Sequence, residues 1–330
     1  MSGMQRGAQR LEALDVLRGI AALAVVVYHY SERYAQVHGV SPMGWRFAFG
    51  AHGVNLFFMI SGYVIALTLD RSRDAADFLV SRASRLYPAY WACIALTLAG
   101  VGFLGTAGLA EWKIDAEDVW WNLPMLQEFV KRPSVDGVYW TLAVELRFYA
   151  LAWLLWTVGA LARPLAVVTG WLSLSALQGW LPGAVRVNAF LEWFPLFAVG
   201  MTVFAASRSG WTAAHCGLLA LALAIDGAIR GAGAAVLDTG LCVLFLVACR
   251  STWRRIPKVM LWLGAISYPL YLLHQNLGFA VIHALGATGV AAFCALLAVL
   301  ALATLVHVAV EQPAMHWIRA RWRRRRATST

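Results

Sequence analysis

In this chain of 330 residues 61% are hydrophobic and 13% charged, and the mean hydropathy is +0.65. Soluble domains carry about 25% charge, so most of this surface meets something other than water, and apolar runs near the ~20 residues that cross a bilayer recur along the chain. The net charge of +10 is not the mark of a nucleic-acid binder, because six arginines crowd between Arg319 and Arg326 just past the last apolar run, as in a membrane anchor.

Periodicity and run length predict an all-α, polytopic membrane protein with about ten transmembrane helices and no soluble domain. The helices are expected near 15–32, 50–70, 85–105, 139–158, 165–179, 188–206, 212–228, 232–249, 262–284 and 289–309. Gly and Pro punctuate the joins, among them Gly105, Gly108, Pro164, Pro182-Gly183, Gly210, Gly231 and Pro257. The first run, Gly19–Tyr30, follows Arg6, Arg10 and Arg18 as a signal peptide would. It ends in Tyr28-His29-Tyr30 with no small-x-small cleavage site, so it reads as a retained helix. There is no internal repeat, and the whole chain, 1–330, reads as one membrane domain with a basic tail at 319–330.

The arginines and lysines set the orientation. With the N-terminus in the cytoplasm, nineteen fall on the inner side, including Arg71, Arg73, Arg163, Arg208, Arg254 and Arg255. Seven fall outside, including Arg46, Arg132 and Arg230. Both termini are then cytoplasmic and the membrane is the inner (plasma) membrane. The longest outside connection, about 106–138, is acidic and bears tryptophan (Glu111, Asp115, Glu117, Asp118, Trp112, Trp120, Trp121). Such side chains can meet sugar hydroxyls and ring faces, although an interfacial aromatic belt is the plainer reading.

Ionisable groups inside spanning helices are costly, and each is a functional candidate. Arg18 and His29 are eleven residues apart on the first helix, three turns plus ~20°, so they share a face about 16 Å apart along the axis. Glu145 lies about six residues, ~9 Å, below the outer surface at a depth like that of His29, where a carboxylate can orient an imidazole base. Arg82 and Arg85, three apart, present two guanidiniums on one face at the inner side, the fork that suits phosphate oxygens. Taken singly, each has a plain structural reading: a flanking arginine, an interfacial histidine, an ion pair, ordinary inner-side arginines. Together they agree in side and depth. His52, His274 and His307 are expected to be structural. No metal is expected, since no H-x-x-x-H spacing occurs and carboxylates are scarce. The five cysteines sit in apolar runs as small buried hydrophobes.

These motifs resemble the acyltransferase 3 family of integral membrane acyltransferases. The resemblance runs through Arg10–Ala22 with Arg18-x10-His29, then Asn55–Val64, Arg82-x-x-Arg85-Leu-Tyr-Pro88 and Trp140-Thr-Leu-x-Val-Glu145-x-x-Phe-Tyr149. It continues through Ser267–His274 and Glu311-Gln-Pro313. Thr141 stands where the family usually has serine, and Pro269 is expected to kink the ninth helix. The resemblance implies a stand-alone enzyme that moves an acyl group, usually acetyl, from cytoplasmic acyl-CoA to a hydroxyl of an extracytoplasmic carbohydrate or lipid-linked glycan of the cell envelope. Arg18, Arg82 and Arg85 would hold the donor's phosphates, and His29 would serve as general base with Glu145 as its orienting or relaying partner. A covalent acyl-histidine is the competing mechanism. A glycan transporter or flippase, and a non-catalytic acyl-CoA-binding membrane protein, are the alternatives from other classes.

Overall fold

The computed structural model describes residues 3–107, 109, 112–188, 190–250 and 256–327, with side chains from Leu11 onward except that of Asn188. Gly108, Glu111, Arg254 and Arg255, singled out above, lie outside the described residues, as do the side chains of Arg6 and Arg10.

The fold is all-α, with no strand among the described residues. The helices are α1 (Gly3–Tyr28), α2 (Tyr34–His38), α3 (Gly53–Arg71), α4 (Ala75–Leu104), α5 (Ala116–Asn122), α6 (Trp140–Thr157), α7 (Pro164–Ala176) and α8 (Gly183–Asn188). They continue with α9 (Phe194–Ser209), α10 (Ala213–Arg230), α11 (Ala232–Arg250), α12 (Lys258–Leu273), α13 (Asn276–Ala284), α14 (Gly289–Val306) and α15 (Gln312–Ala327). Among the described residues, six helical stretches are long and apolar enough to cross a membrane: Ala48–Arg71, Ala75–Leu104, Gly137–Thr157, Ala213–Arg230, Ala232–Arg250 and Gly289–Ala327. The chain is a multi-pass membrane protein.

Each of the ten expected runs has a helical counterpart, with instructive shifts. α4 begins ten residues before the expected 85, so Arg82 and Arg85 sit inside a helix rather than at its start. The ninth run is broken into α12 and α13 at His274-Gln275, while Pro269 stays within α12. The arginine tail is a helix, α15, joined to α14 through a π-helical turn at His307–Glu311. A second π turn, His29–Arg33, joins α1 to α2.

The chain divides into two compact units, one built from Met1–Arg18, Val54–Phe78 and Val144–Pro257, the other from Gly19–Gly53, Leu79–Ala143 and Lys258–Thr330. In the first, α9 packs on α7 and α10, and α10 on α11. α3 and α9 meet backbone to backbone: a Cβ on Gly62 would collide with the Phe197 carbonyl, and one on Gly200 with the Met59 carbonyl. Small residues at such crossings gain van der Waals contact where hydrophobicity gives no drive, because lipid is as apolar as leucine. Phe197 completes the crossing between Phe58 (4.8 Å) and Phe148 (4.2 Å). Charge is also buried here. Arg230 donates to Asp238 Oδ2 (2.9 Å) and Asn55 Oδ1 (3.1 Å), pairs with Asp226, and lies 5.1 Å above the Trp193 ring. Asn55 Nδ2 in turn donates to Asp238 Oδ1 at 2.8 Å, so one guanidinium ties α3, α10 and α11 together.

In the second unit α14 packs on α12 and α13. Gly19 of α1 lies against the backbone of Gly264 in α12, and Gly278 of α13 seats the Tyr30 ring.

The close crossing makes a prediction. Gly62→Ala forces the α3 and α9 backbones apart at a cost of about 1–3 kcal/mol, and should lower the melting temperature and monodisperse yield in detergent. Gly102→Ala, where an added Cβ meets nothing within 4 Å, should leave both unchanged or slightly raised, because alanine favours a helix interior by about 0.5–1 kcal/mol.

Candidate active site

His29 is the first residue of the π turn that follows α1. A π turn widens one helical turn by a residue and turns a side chain out of register, and such turns occur often at functional sites. His29 Nδ1 lies 2.9 Å from the carbonyl of Val25 and 3.1 Å from Nε2 of His274. His274 is wholly buried, and its Nδ1 is 2.8 Å from the carbonyl of Tyr271. The two rings meet edge to face at 4.7 Å.

The carbonyls decide where the protons are. A carbonyl oxygen only accepts, so His274 Nδ1 carries a hydrogen, and in the neutral ring its Nε2 is a bare acceptor. His29 Nδ1 then faces two acceptors, the Val25 oxygen and His274 Nε2, and must carry a hydrogen itself. The neutral His29 ring is left with its basic lone pair on Nε2.

What holds His274 is the break between α12 and α13. Tyr30 donates its hydroxyl to the His274 carbonyl at 2.9 Å. The Asn276 backbone N–H, at the first position of α13, donates to Asp136 Oδ2 at 2.9 Å, and its side-chain amide donates to the Val135 carbonyl at 3.0 Å. Asp136 also caps the short turn Gly137–Tyr139 by accepting the Val138 N–H at 3.2 Å. Beside it, Thr141 Oγ1 and the Tyr271 hydroxyl are 3.0 Å apart and share the Val138 carbonyl. Thr141, the departure noted in the sequence, thus uses its hydroxyl as a serine would.

The connection between α4 and α6, expected as a long outside loop, holds a short helix. Its α5 begins with a capping box, Asp115 and Asp118 each accepting the other's backbone N–H, and Arg132 pairs with Glu117 and Asp118. Asp115, Glu117 and Asp118 are therefore spent on helix capping and an ion pair. Beyond α5 the chain turns back along α4. Trp91 Nε1 donates to the Leu123 carbonyl (2.9 Å) and the Tyr87 hydroxyl to that of Pro124 (3.1 Å). Tyr87 is seventeen residues before Leu104, the end of α4, which is a rise of ~25 Å. Irregular backbone survives at that depth where protein satisfies it. Asn122 does so here, donating to the Pro133 carbonyl (2.9 Å) and accepting the Val135 N–H (3.0 Å).

Arg85 donates to Glu311 Oε1 at 2.7 Å, and Glu311 is completely buried on the second π turn. Its other oxygen, Oε2, is 2.8 Å from His307 Nδ1, while Gln312 Nε2 donates to His307 Nε2 at 2.9 Å. Beside them Arg319 reaches Ser84 Oγ (3.2 Å) and the Ser81 carbonyl (3.3 Å), and Arg82 lies 3.4 Å from Ser81 Oγ. The Arg82-x-x-Arg85 pair thus stands in a basic cluster with Arg319, with Glu311 as its buried counter-ion.

Arg18 and Glu145 belong to the first unit. Arg18 is half-buried on α1. Glu145 Oε1 accepts from Ser61 Oγ (2.7 Å) and from the Tyr149 hydroxyl (2.5 Å). Within its own unit His29 is positioned by His274 and by a hydrogen bond with the Gln275 side chain, and Glu145 within its unit by Ser61 and Tyr149. No group of three or more His, Cys, Asp or Glu side chains that could hold a metal occurs among the described residues.

Sequence reasoning gave His274 and His307 structural roles, read Arg319 as part of a membrane anchor, and left Glu311 and Asp136 without a role. The cost of an ionisable group in an apolar helix was the signal available for His274 and Glu311.

The family model described as "Acyltransferase domain" matches residues 11–311. Nodulation protein 10 of Rhizobium leguminosarum bv. viciae is 28% identical over 91% of this chain and 92% of its own length. The exopolysaccharide production protein ExoZ of Rhizobium meliloti (strain 1021) is 28% identical over 86% of this chain and 95% of its own. The putative peptidoglycan O-acetyltransferase YrhL of Bacillus subtilis (strain 168) is 31% identical over 43% of this chain and 23% of its own. No solved structure matches. With the family model spanning all but the ends of the chain, over the segments that carry His29, Arg85 and Glu311, this protein belongs to the acyltransferase 3 family and is a membrane acyltransferase.

Proposed function

We propose that the protein transfers an acyl group, acetyl in the first instance, from acyl-CoA on the cytoplasmic side to a hydroxyl of a carbohydrate or lipid-linked glycan on the other side of the plasma membrane. The observation that carries this reading is the His29–His274 pair, whose carbonyl partners leave a basic nitrogen on His29. The orientation, with both termini cytoplasmic, rests on the distribution of arginine and lysine. The glycan acceptor has support in the names of relatives, an exopolysaccharide production protein and a putative peptidoglycan O-acetyltransferase.

In this mechanism Arg18, Arg82 and Arg85 hold the phosphates of the donor at the inner side, as charge-assisted forks. The thioester reaches the level of His29. His29 Nε2 takes the proton of the acceptor hydroxyl as its oxygen attacks the thioester carbonyl. The tetrahedral adduct collapses with cleavage of the C–S bond, and the proton on His29 passes to the departing thiolate. His274 Nε2 accepts from His29 Nδ1–H throughout, so the ring cannot turn or exchange tautomers, and the transient imidazolium keeps a partner. Glu145, oriented by Ser61 and Tyr149 in its own unit, is assigned the role of relaying or steadying charge. Glu311 positions Arg85.

The deciding experiment reads O-acetyl content of cell-surface glycan by mass spectrometry, before and after mild base, in cells lacking the gene and in complemented cells. Wild type should restore the acetyl groups and His29→Ala should not; unchanged acylation in every strain would sink the glycan reading. In purified protein, His29→Ala should lower kcat by about 10²–10⁴, the usual weight of a general base, with acyl-CoA binding intact. His274→Ala should lower kcat about 10- to 100-fold, the worth of one hydrogen bond to a charged group, with KM unchanged. His274→Gln, whose carbonyl can still accept from His29 Nδ1, should recover much of it; a purely structural His274 would give no such rescue. Arg82→Ala should raise KM for acyl-CoA by about 10- to 100-fold at little cost in kcat, measured by thiol release.

A further inference from the structure

Where α15 lies against α4, one guanidinium is held in place without being neutralised. Arg319 sits past residue 311, where the match to the family model ends. It is half-buried, its Nε donates to Ser84 Oγ at 3.2 Å, and a terminal nitrogen donates to the Ser81 carbonyl at 3.3 Å. Both acceptors are uncharged. Arg85 is in the opposite state. It is paired with Glu311 Oε1 at 2.7 Å, while His307 Nδ1 takes the other oxygen of that carboxylate at 2.8 Å.

The charged neighbours that bear on Arg319 are of its own sign: Arg82 and Arg85 of α4, and Arg323, four residues on along the same face of α15. Like charges gathered on partly buried ground repel, and an anion that joins them relieves the repulsion. The two hydrogen bonds use two of the five N–H groups of a planar fork and fix its plane. Ser81, Ser84 and Arg85 are spaced three and four apart, so they share one face of α4. The fork is therefore anchored on the face that carries Arg85, beside the position proposed above for the donor's phosphates.

We propose that Arg319 is a further donor-binding residue, which meets a phosphate of acyl-CoA together with Arg82 and Arg85. Glu311 offsets the charge of Arg85 and so weakens it as an anion receptor; Arg319 supplies the cationic fork that the pair then lacks. Serine and backbone oxygens orient that fork without spending its charge. The inference deepens the donor site of the proposed function and rests on it. A phospholipid headgroup offers the same phosphate chemistry, and the test separates the two.

The test is calorimetric binding of CoA to the full chain in detergent, which reads the site without any transfer to an acceptor. Arg319→Gln keeps an amide donor toward Ser81 and Ser84 but drops the charge. It should weaken CoA about 10- to 100-fold, the worth of a hydrogen bond to a charged group, with the melting temperature unchanged. Its affinity should also depend less on salt, which a purely structural arginine would not alter. Arg319→Lys, which keeps the charge, should stay closer to wild type than Arg319→Gln. Should Arg319→Gln fold poorly, Ser84→Ala reads the same site: loss of one neutral hydrogen bond should weaken CoA about 2- to 10-fold. Wild type that binds CoA while Arg319→Gln binds it equally, or more weakly with the same salt dependence, overturns this proposal alone. Wild type that does not bind CoA overturns it together with the donor reading. Phosphatidylglycerol retained by wild type and lost from Arg319→Gln, with CoA affinity equal in the two, assigns the arginine to a lipid headgroup and overturns it as well.

Discussion

One carboxylate, Asp136, holds together the part of the molecule where regular helix gives way. In hydrocarbon there is no water to satisfy a free N–H or C=O, and the protein must provide each partner. The break between α12 and α13 exposes such groups at mid-chain, and Asp136 takes up the Asn276 N–H while capping the turn that starts α6. The Tyr271 and His274 carbonyls fall beside this break, one fixing the His274 ring and the other receiving Tyr30. A single buried acid therefore satisfies the break beside which the His274 ring is held.

This arrangement explains why an apolar chain carries so many polar groups in pairs rather than alone. His29 and His274, Arg85 and Glu311, Glu145 with Ser61 and Tyr149, and Arg230 between two aspartates are each hydrogen-bonded sets. Buried ions without partners are severely penalised, and removing one member leaves the other stranded. Activity and folding are for this reason entangled at these positions, and isosteric replacements separate the two better than alanine does.

Much of this was legible before any coordinates. Run length and Gly/Pro punctuation located the spans, and helical spacing placed Arg82 beside Arg85 and singled out His29. What could not be read was any partner chosen by tertiary geometry. His274 is 245 residues from His29 and Glu311 is 226 from Arg85. Neither π turn has a sequence signature of its own, since an α-helix with one extra residue looks like an α-helix. In the connection between α4 and α6 composition alone could not assign the acidic side chains a task, because aspartates that cap a helix have the same composition as ones exposed in a loop.

The buried charges of α10 and α11 constrain how the chain can enter the bilayer. Asp226 and Arg230 lie on α10 and Asp238 on α11, and only Gly231 separates the two helices. Presented singly to the lipid, each charged side chain near a helix centre would oppose partition by about 2.5–3.5 kcal/mol. Presented as a hairpin, with Arg230 already between its two acids, the same residues enter with most of their charge cancelled. The left-handed Gly231 (φ 94°) permits that hairpin to close tightly. Partition of the two helices as a pair is thus less costly than partition of either one alone.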